Sequence, residues 1–258
     1  MTIGFNKYQG TGNDFIIIDN RKDIFVPYDH NLISRLCNRR YGIGADGLIL
    51  INKDPEYSFE MVYFNSDGHE SSMCGNGGRC AADFAIRAKI AGKNHKFRAI
   101  DGIHEAIEEK DIIRLKMNDI KDSRIIDNNY FINTGSPHYV LFRENIENLD
   151  VNEEGKRLRW SDLFSPEGTN VNFVEPEKDG IFVRTYERGV ESETLSCGTG
   201  VTASAIASVM TGHFDSGQIN VRTRGGSLRV EFALKGKSIS DIWLCGPAAF
   251  VFEGRIEV

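Results

Sequence analysis

The sequence is short of several things, and each shortage removes a class of protein. No apolar run approaches the length of a membrane span, and residues 1–10 lack the basic start and apolar stretch of an export signal, so a cytoplasmic protein with no membrane partner is expected. There is no basic surplus: 31 Lys and Arg face 37 Asp and Glu, a net charge of -6, which argues against a nucleic-acid partner. Six prolines and dispersed glycines leave no low-complexity linker or tail. The five cysteines, Cys37, Cys74, Cys80, Cys197 and Cys245, are an odd number in a fairly long chain, so reduced thiols are expected rather than a disulfide framework. No CxxC or HExxH occurs and the six histidines stand singly, so no metal site is predicted.

What remains is a soluble α+β pattern of 258 residues, a length suited to two domains of ordinary size. Short β-rich runs punctuated by Gly, Asn and Asp predict strands at 14–19, 47–51, 57–64, 103–108, 111–117, 130–133, 139–142, 171–175, 180–186, 227–233, 238–244 and 250–258. Small and apolar residues without internal breakers predict helices over 31–39, 75–90 and 198–210, with a shorter one within 152–163.

Two of those helices open alike, with Cys74-Gly75-Asn76-Gly77 and Cys197-Gly198-Thr199-Gly200, 123 positions apart. Without a gap, the same offset also matches Phe59, Tyr63, Glu70 and Ala82 to Phe182, Tyr186, Glu193 and Ala205. These make seven identities over residues 59–82, where composition alone gives about one or two. The pattern reads as a duplicated unit of strand, loop, Cys-Gly-x-Gly and helix. Two copies related by a pseudo-twofold axis would set one cysteine on each side of a shared cleft.

A cysteine just ahead of a helix meets unpaired backbone N–H groups and the positive end of the helix dipole, both of which favour thiolate. The glycines at 75, 77, 198 and 200 remove side chains, so that a carboxylate could approach those amides closely. Two such thiols around one substrate suit inversion of an α-carbon: one removes a proton from one face while the other delivers a proton to the opposite face. Charge pushed onto the substrate carboxylate would be met by the helix starts. No organic cofactor is needed for this chemistry, and none is expected. Cys37, Cys80 and Cys245 lack the repeat context and are assigned to packing, Cys80 pointing away from the helix mouth.

The ordered motifs Gly10-Thr11-Gly12-Asn13-Asp14-Phe15, Gly42-Ile43-Gly44-Ala45-Asp46-Gly47, Asn65-Ser66-Asp67-Gly68, Cys74 to Cys80, Pro137-His138, Asn170-Val171-Asn172-Phe173, Tyr186-Glu187-Arg188-Gly189 and Cys197 to Gly200 resemble the diaminopimelate epimerase family across nearly the whole chain. The resemblance implies two pseudo-symmetric strand-rich domains, each a barrel-like sheet around a central helix, with the active site in the interdomain cleft. It places residues 1–119 with 249–258 in the first domain and 120–248 in the second, and implies a homodimer. The activity implied is cofactor-independent conversion of LL-2,6-diaminopimelate to the meso form, in lysine and peptidoglycan precursor synthesis. Cys74 and Cys197 would be the two bases, assisted by His138 near Cys74 and Glu187 near Cys197. Asn13, Asn65 and Asn170 would bind the amino acid's charged groups, and the amides of Gly75, Asn76, Gly198 and Thr199 its reacting carboxylate. Arg188 would grip the distal carboxylate and Glu187 the distal ammonium.

The chain departs from that pattern at Gly47, where many members carry Gln, and at Ser136, where many carry Asn. Two substrate hydrogen bonds are therefore absent or supplied by water or backbone. The loop 188–197 is one residue longer than in many members. Proline or hydroxyproline racemase-like enzymes are the nearest alternative, disfavoured by Asn76 where that family usually has His. A phenazine-type isomerase typically lacks the paired cysteines. A thiol redox sensor is the alternative from another class.

Overall fold

Parallel neighbouring strands cannot be joined by a tight turn and need a crossover, usually a helix. That requirement explains where the four α-helices among the described residues lie. The computed structural model describes residues 1–25, 29–120, 122–235 and 238–258. They fall into two compact units, Met1–Leu115 with Gly246–Val258, and Lys116–Cys245.

In the first unit β1 (Thr2–Gly10) and β2 (Asn13–Asp19) pair antiparallel, and β2 runs parallel to β3 (Gly47–Asn52) with α1 (His30–Cys37) in the crossover. β3 pairs antiparallel with β4 (Glu60–Asn65), and β4 runs parallel to β5 (Asn94–Ala99) across α2 (Gly75–Arg87). β6 (Gly102–Glu109) and β7 (Ile112–Lys116) continue as an antiparallel meander, and the chain's last strand, Ala249–Glu257, returns to pair with β1. The sheet wraps α2. Phe15, Ile49 and Met61 come to the backbone of that helix at Gly77, Leu115 comes to it at Gly78, and Phe84 meets Tyr8 edge-on. The other face of β2, β3 and β4 carries Ile16, Ile18, Leu48, Leu50, Val62 and Phe64, which bury against Ile33 and Leu36 of α1.

The second unit repeats the scheme. β8 (Asp122–Ile126) and β9 (Asn129–Asn133) form a hairpin, β9 pairs antiparallel with β10 (Pro137–Phe142), and β10 runs parallel to β11 (Asn170–Glu177) across α3 (Val151–Arg159). β12 (Gly180–Glu187) pairs antiparallel with β11 and, at its edge, with the short β13 (Ser192–Thr194). α4 (Gly198–Met210) then crosses to β14 (Gln218–Thr223), parallel to β12, and β15 (Gly226–Lys235) and β16 (Ser238–Gly246) complete the meander. α4 is almost wholly buried. Three of its hydroxyls are satisfied by the helix itself: Thr202 donates to the Gly198 carbonyl, Ser204 to Gly200 and Ser208 to Ala205.

The chain is thus α+β, with two strand-rich units of like topology, each wrapped around a helix that follows a cysteine. The predicted strands and helices are present with shifted ends. Five further strands, Thr2–Gly10, Asn94–Ala99, Asp122–Ile126, Ser192–Thr194 and Gln218–Thr223, were not foreseen. Three of them are half-buried strands with polar outer residues, such as Asn94–Ala99, where His95, Phe97 and Ala99 turn inward between Lys96 and Arg98, while Asp122–Ile126 and Ser192–Thr194 bury no full row.

The ungapped repeat needs one correction. α2 and α4 are 13 residues each and start 123 positions apart, but the strands before them are displaced by one. Tyr63 lies on the α2 face beside Phe15, whereas Tyr186 and Phe182 lie on the α3 face with Val151. The counterpart of Tyr186 is Phe64: Phe64 pairs with Glu70, and Tyr186 with Glu193. The extra residue therefore falls in the turn after Glu187. The matches of Phe59 with Phe182 and of Tyr63 with Tyr186 are coincidental, because a one-residue slip sends a side chain to the opposite face.

Candidate active site

Cys74 is the N-cap of α2, in extended conformation at φ -91° and ψ 124°, and its side chain does not cap the helix. The first intrahelical bond runs from Gly78 N to Cys74 O at 2.7 Å, so the amides of Gly75, Asn76 and Gly77 precede the helical ladder and present the helix's positive end. The Cys74 Sγ is 3.6 Å from Asn13 Oδ1, which also accepts from Asn76 Nδ2 at 3.5 Å. Asn13 is anchored from behind, its Nδ2 donating to Asp46 Oδ2 at 2.7 Å, and Asp46 in turn shares Arg39 with Asp14. Asp14 also pairs with the buried Lys7 at 2.7 Å, and Lys7 donates to the Gly44 carbonyl. Burial works to raise the Asp14 carboxyl, but hydrogen bonds from Arg39 and Lys7 outweigh it and hold the pKa at about 2. Arg79, fully buried one turn into α2, donates to Asn76 Oδ1 at 3.0 Å and to the Gly75 carbonyl at 3.3 Å. Asn76 is buried, and its side-chain amide is engaged on both sides, by Asn13 and by Arg79. Asn65 lies exposed at the end of β4, opposite Gly47 in the register.

Cys197 repeats the arrangement at φ -114° and ψ 112°, with Val201 N donating to Cys197 O at 2.8 Å and the amides of Gly198, Thr199 and Gly200 ahead of the ladder. Its Sγ lies 3.5 Å from Thr199 Oγ1. Thr199 Oγ1 is also 2.9 Å from Nε2 of His138, a fully buried ring whose Nδ1 faces Asn172 Nδ2 at 3.0 Å. Asn172 Oδ1 accepts from Thr185 Oγ1, which fixes its NH2 toward the ring. Nδ1 is therefore the acceptor and Nε2–H donates to Thr199, leaving the threonine's own proton available to the sulfur. Burial, joined by the nearby Arg188 cation, lowers the His138 pKa to about 3, so the ring is neutral.

Asn170 is buried and heavily committed: Nδ2 donates to Ser136 Oγ at 2.9 Å and to the Pro137 carbonyl at 2.8 Å, while Oδ1 accepts from Arg188 N at 2.8 Å. It ties the Ser136-Pro137 turn to the Glu187-Arg188 segment. Glu187 Oε2 accepts from Thr194 Oγ1 at 2.9 Å, and both Glu187 and Arg188 are half-buried. Among the remaining thiols, Cys80 is fully buried against Gly10 and Cys37 sits in the α1 core. Burial drives the Cys37 pKa up to about 12 and the Cys80 pKa further still, so both stay neutral.

A profile of the family described as diaminopimelate epimerase matches residues 5–117 and 130–251. The chain belongs to the diaminopimelate epimerase family. Relatives of that name are 53% identical in Flavobacterium psychrophilum, 42% in Chlorobaculum tepidum and 40% in Aquifex aeolicus, each match covering at least 96% of both chains. This epimerase is accordingly an isomerase. Its fold recurs at low identity in solved structures. A phenazine biosynthesis protein of the PhzF family from Bacillus anthracis superposes with TM-score 0.79 at 13% identity over all of both chains. A probable proline racemase from Agrobacterium radiobacter K84 gives 0.71 at 14% over 99% of this chain and 93% of the other.

The epimerase's structure revises one reading of its glycines. Gly77 and Gly200 are covered by protein: a Cβ would lie 3.2 Å from Ile49 Cδ1 in the first case and 2.4 Å from Asn172 Oδ1 in the second. They let the sheet approach the helix, rather than let a ligand approach the amides. Asp46 and Asn172 were left without roles by the sequence. The signal for Asn172 was present, because it lies two residues beyond Asn170 and so on the same strand face. Asp46 carries no such signal, since its partner Asn13 is reached only through strand pairing.

Proposed function

We propose that this epimerase interconverts LL-2,6-diaminopimelate and meso-diaminopimelate without a cofactor, with Cys74 and Cys197 as the two acid/base groups. The thiolate of one takes the α-proton, the thiol of the other gives a proton to the opposite face, and the two sulfurs end with exchanged protonation states. The carrying observation is that two helices of equal length each have a cysteine as N-cap, with three amides ahead of the first helical hydrogen bond. Charge that builds on the substrate carboxylate during deprotonation would be met by Gly75, Asn76, Gly198 and Thr199 N–H groups. One donor of this kind is worth about 3 kcal/mol in other enzymes, and positioned proton transfer roughly 10² to 10⁴ in rate.

In this reading Arg188 takes the distal carboxylate and Glu187 the distal ammonium, while Asn13 and Asn65 reach the amino acid's charged groups. Asn170 supports substrate binding chiefly by holding the Arg188 backbone. Glu187 assists Cys197, and His138, whose ring nitrogens are committed to Asn172 and Thr199, acts through the Thr199 hydroxyl in place of the role at Cys74 that the resemblance implied. The Thr199 hydroxyl, steered by His138 Nε2–H, adds a donor to the Cys197 thiolate. We place the protein in the cytoplasm as a homodimer, in lysine and peptidoglycan precursor synthesis.

The test is incubation of LL-diaminopimelate with reduced enzyme in D2O. The wild type should form the meso isomer and place deuterium on an α-carbon, and Cys74→Ala and Cys197→Ala should each abolish inversion while keeping the fold. Absence of label with the wild type rejects the reaction, and full inversion by either variant removes that cysteine from it.

A further inference from the structure

Gly47 opens β3 between Phe15 of β2 and Asn65 of β4. Its missing side chain leaves no gap. A Cβ there would lie 2.5 Å from Cε2 and 2.9 Å from Oη of Tyr63, and 2.6 Å from the Phe64 carbonyl oxygen. Tyr63 is paired across the strands with Ile49, not Gly47, so its ring leans diagonally by two residues toward the strand ends. The ring meets Phe15 edge-on, with centroids 6.0 Å apart. Its hydroxyl is thereby set over position 47.

Strand alternation puts Asn13, Phe15, Gly47, Tyr63 and Asn65 on one face of the sheet, the face turned to α2. The hydroxyl therefore arrives in the row of Gly47 and Asn65, two residues along from Asn13, whose Oδ1 is 3.6 Å from the Cys74 sulfur. Covering a glycine requires only an aromatic ring. A phenol adds a group that can donate to a carboxylate or accept from an ammonium. In the second unit the corresponding position is Thr185, whose hydroxyl donates to Asn172 Oδ1 at 2.9 Å, while Tyr186 lies on the other face of its sheet.

We propose that Tyr63 is a substrate-binding residue of the Cys74 half-site: its hydroxyl hydrogen-bonds a charged group of the amino-acid substrate, and Gly47 is the opening that lets the ring lie across the strand end. The hydrogen bond that Gly47 cannot make, expected from the sequence to be absent or supplied by water or backbone, comes from a neighbouring side chain. The proposal rests on the epimerase reading above.

The experiment compares wild type, Tyr63→Phe and Tyr63→Leu for conversion of LL-diaminopimelate to the meso form, with thermal unfolding measured on each. Tyr63→Phe keeps the ring over Gly47 and against Phe15, so its unfolding midpoint should fall by much less than that of Tyr63→Leu. Its KM should rise about tenfold, as for a lost hydrogen bond to a charged group, with kcat within about twofold. Tyr63→Leu should lose stability as well, which separates the ring's role from the hydroxyl's. An inert wild type removes the epimerase reading and this proposal with it. An active wild type with Tyr63→Phe kinetics unchanged overturns this proposal alone, and so does a Tyr63→Phe loss that tracks a fall in unfolding midpoint.

Discussion

Replacing Thr199 with Val tests how the Cys197 thiolate is stabilised. Valine keeps the shape of threonine but removes the oxygen that accepts from His138 Nε2 at 2.9 Å and lies 3.5 Å from Cys197 Sγ. Two effects follow. The buried ring N–H loses its acceptor, which costs about 1–3 kcal/mol of stability. The thiolate loses a donor, and hydrogen bonds to charged groups are worth about 1.5–3 kcal/mol. The sulfur contact is long, so the lower end applies, about one pKa unit at 1.36 kcal/mol per unit. The shift is upward, because the lost bond favoured the charged form. In a Cys74→Ala background, the rate of iodoacetamide alkylation of Cys197 against pH should move about one unit to higher pH in Thr199→Val and return in Thr199→Ser. Identical profiles and stabilities for valine and threonine would refute the linkage from ring to hydroxyl to sulfur.

Acid stability should depend on Asp14. Its folded-state pKa of about 2 lies below the ordinary 3.8, so its stabilising contribution is complete above pH ~4 and lost as pH falls from there toward 2. Asp14→Asn should flatten that part of the stability curve and lower stability at neutral pH by about 2–3 kcal/mol, since Lys7 is left buried without its carboxylate; thermal unfolding from pH 7 to 2.5 reads both, and an unchanged acid limb excludes the pair. Gly200→Ala should cost about 1–3 kcal/mol in urea unfolding, because its Cβ meets Asn172 Oδ1 at 2.4 Å. Gly92→Ala, with nothing within 4 Å of its Cβ, is the neutral control. Equal costs for the two would remove the close helix approach.

The parts of the site legible in the sequence are those governed by neighbours along the chain. An N-cap cysteine followed by glycines specifies a thiol at a helix start from consecutive residues alone, and α4 occupies the predicted 198–210. Alternation is clear even in the unforeseen strand Gln218–Thr223, whose buried residues Ile219, Val221 and Thr223 recur at every second position. The polar strand Thr2–Gly10 was illegible because its inward row includes Lys7, which is buried only because Asp14 and the Gly44 carbonyl receive it.

By itself the sequence determined the duplicated order of elements, the two thiol helices and the family, because local periodicity, turn chemistry and motif order are properties of contiguous residues. The tertiary structure decided strand register and what meets across it. Register separated Tyr63 from Tyr186, laid the Tyr63 ring over Gly47, spent the Asn170 amide on Ser136 and Pro137, and fixed the His138 tautomer through Asn172. The physical reason is that these contacts join residues far apart in the chain. Their geometry follows from hydrogen-bonded pairing, in which a shift of one residue exchanges the faces of a strand.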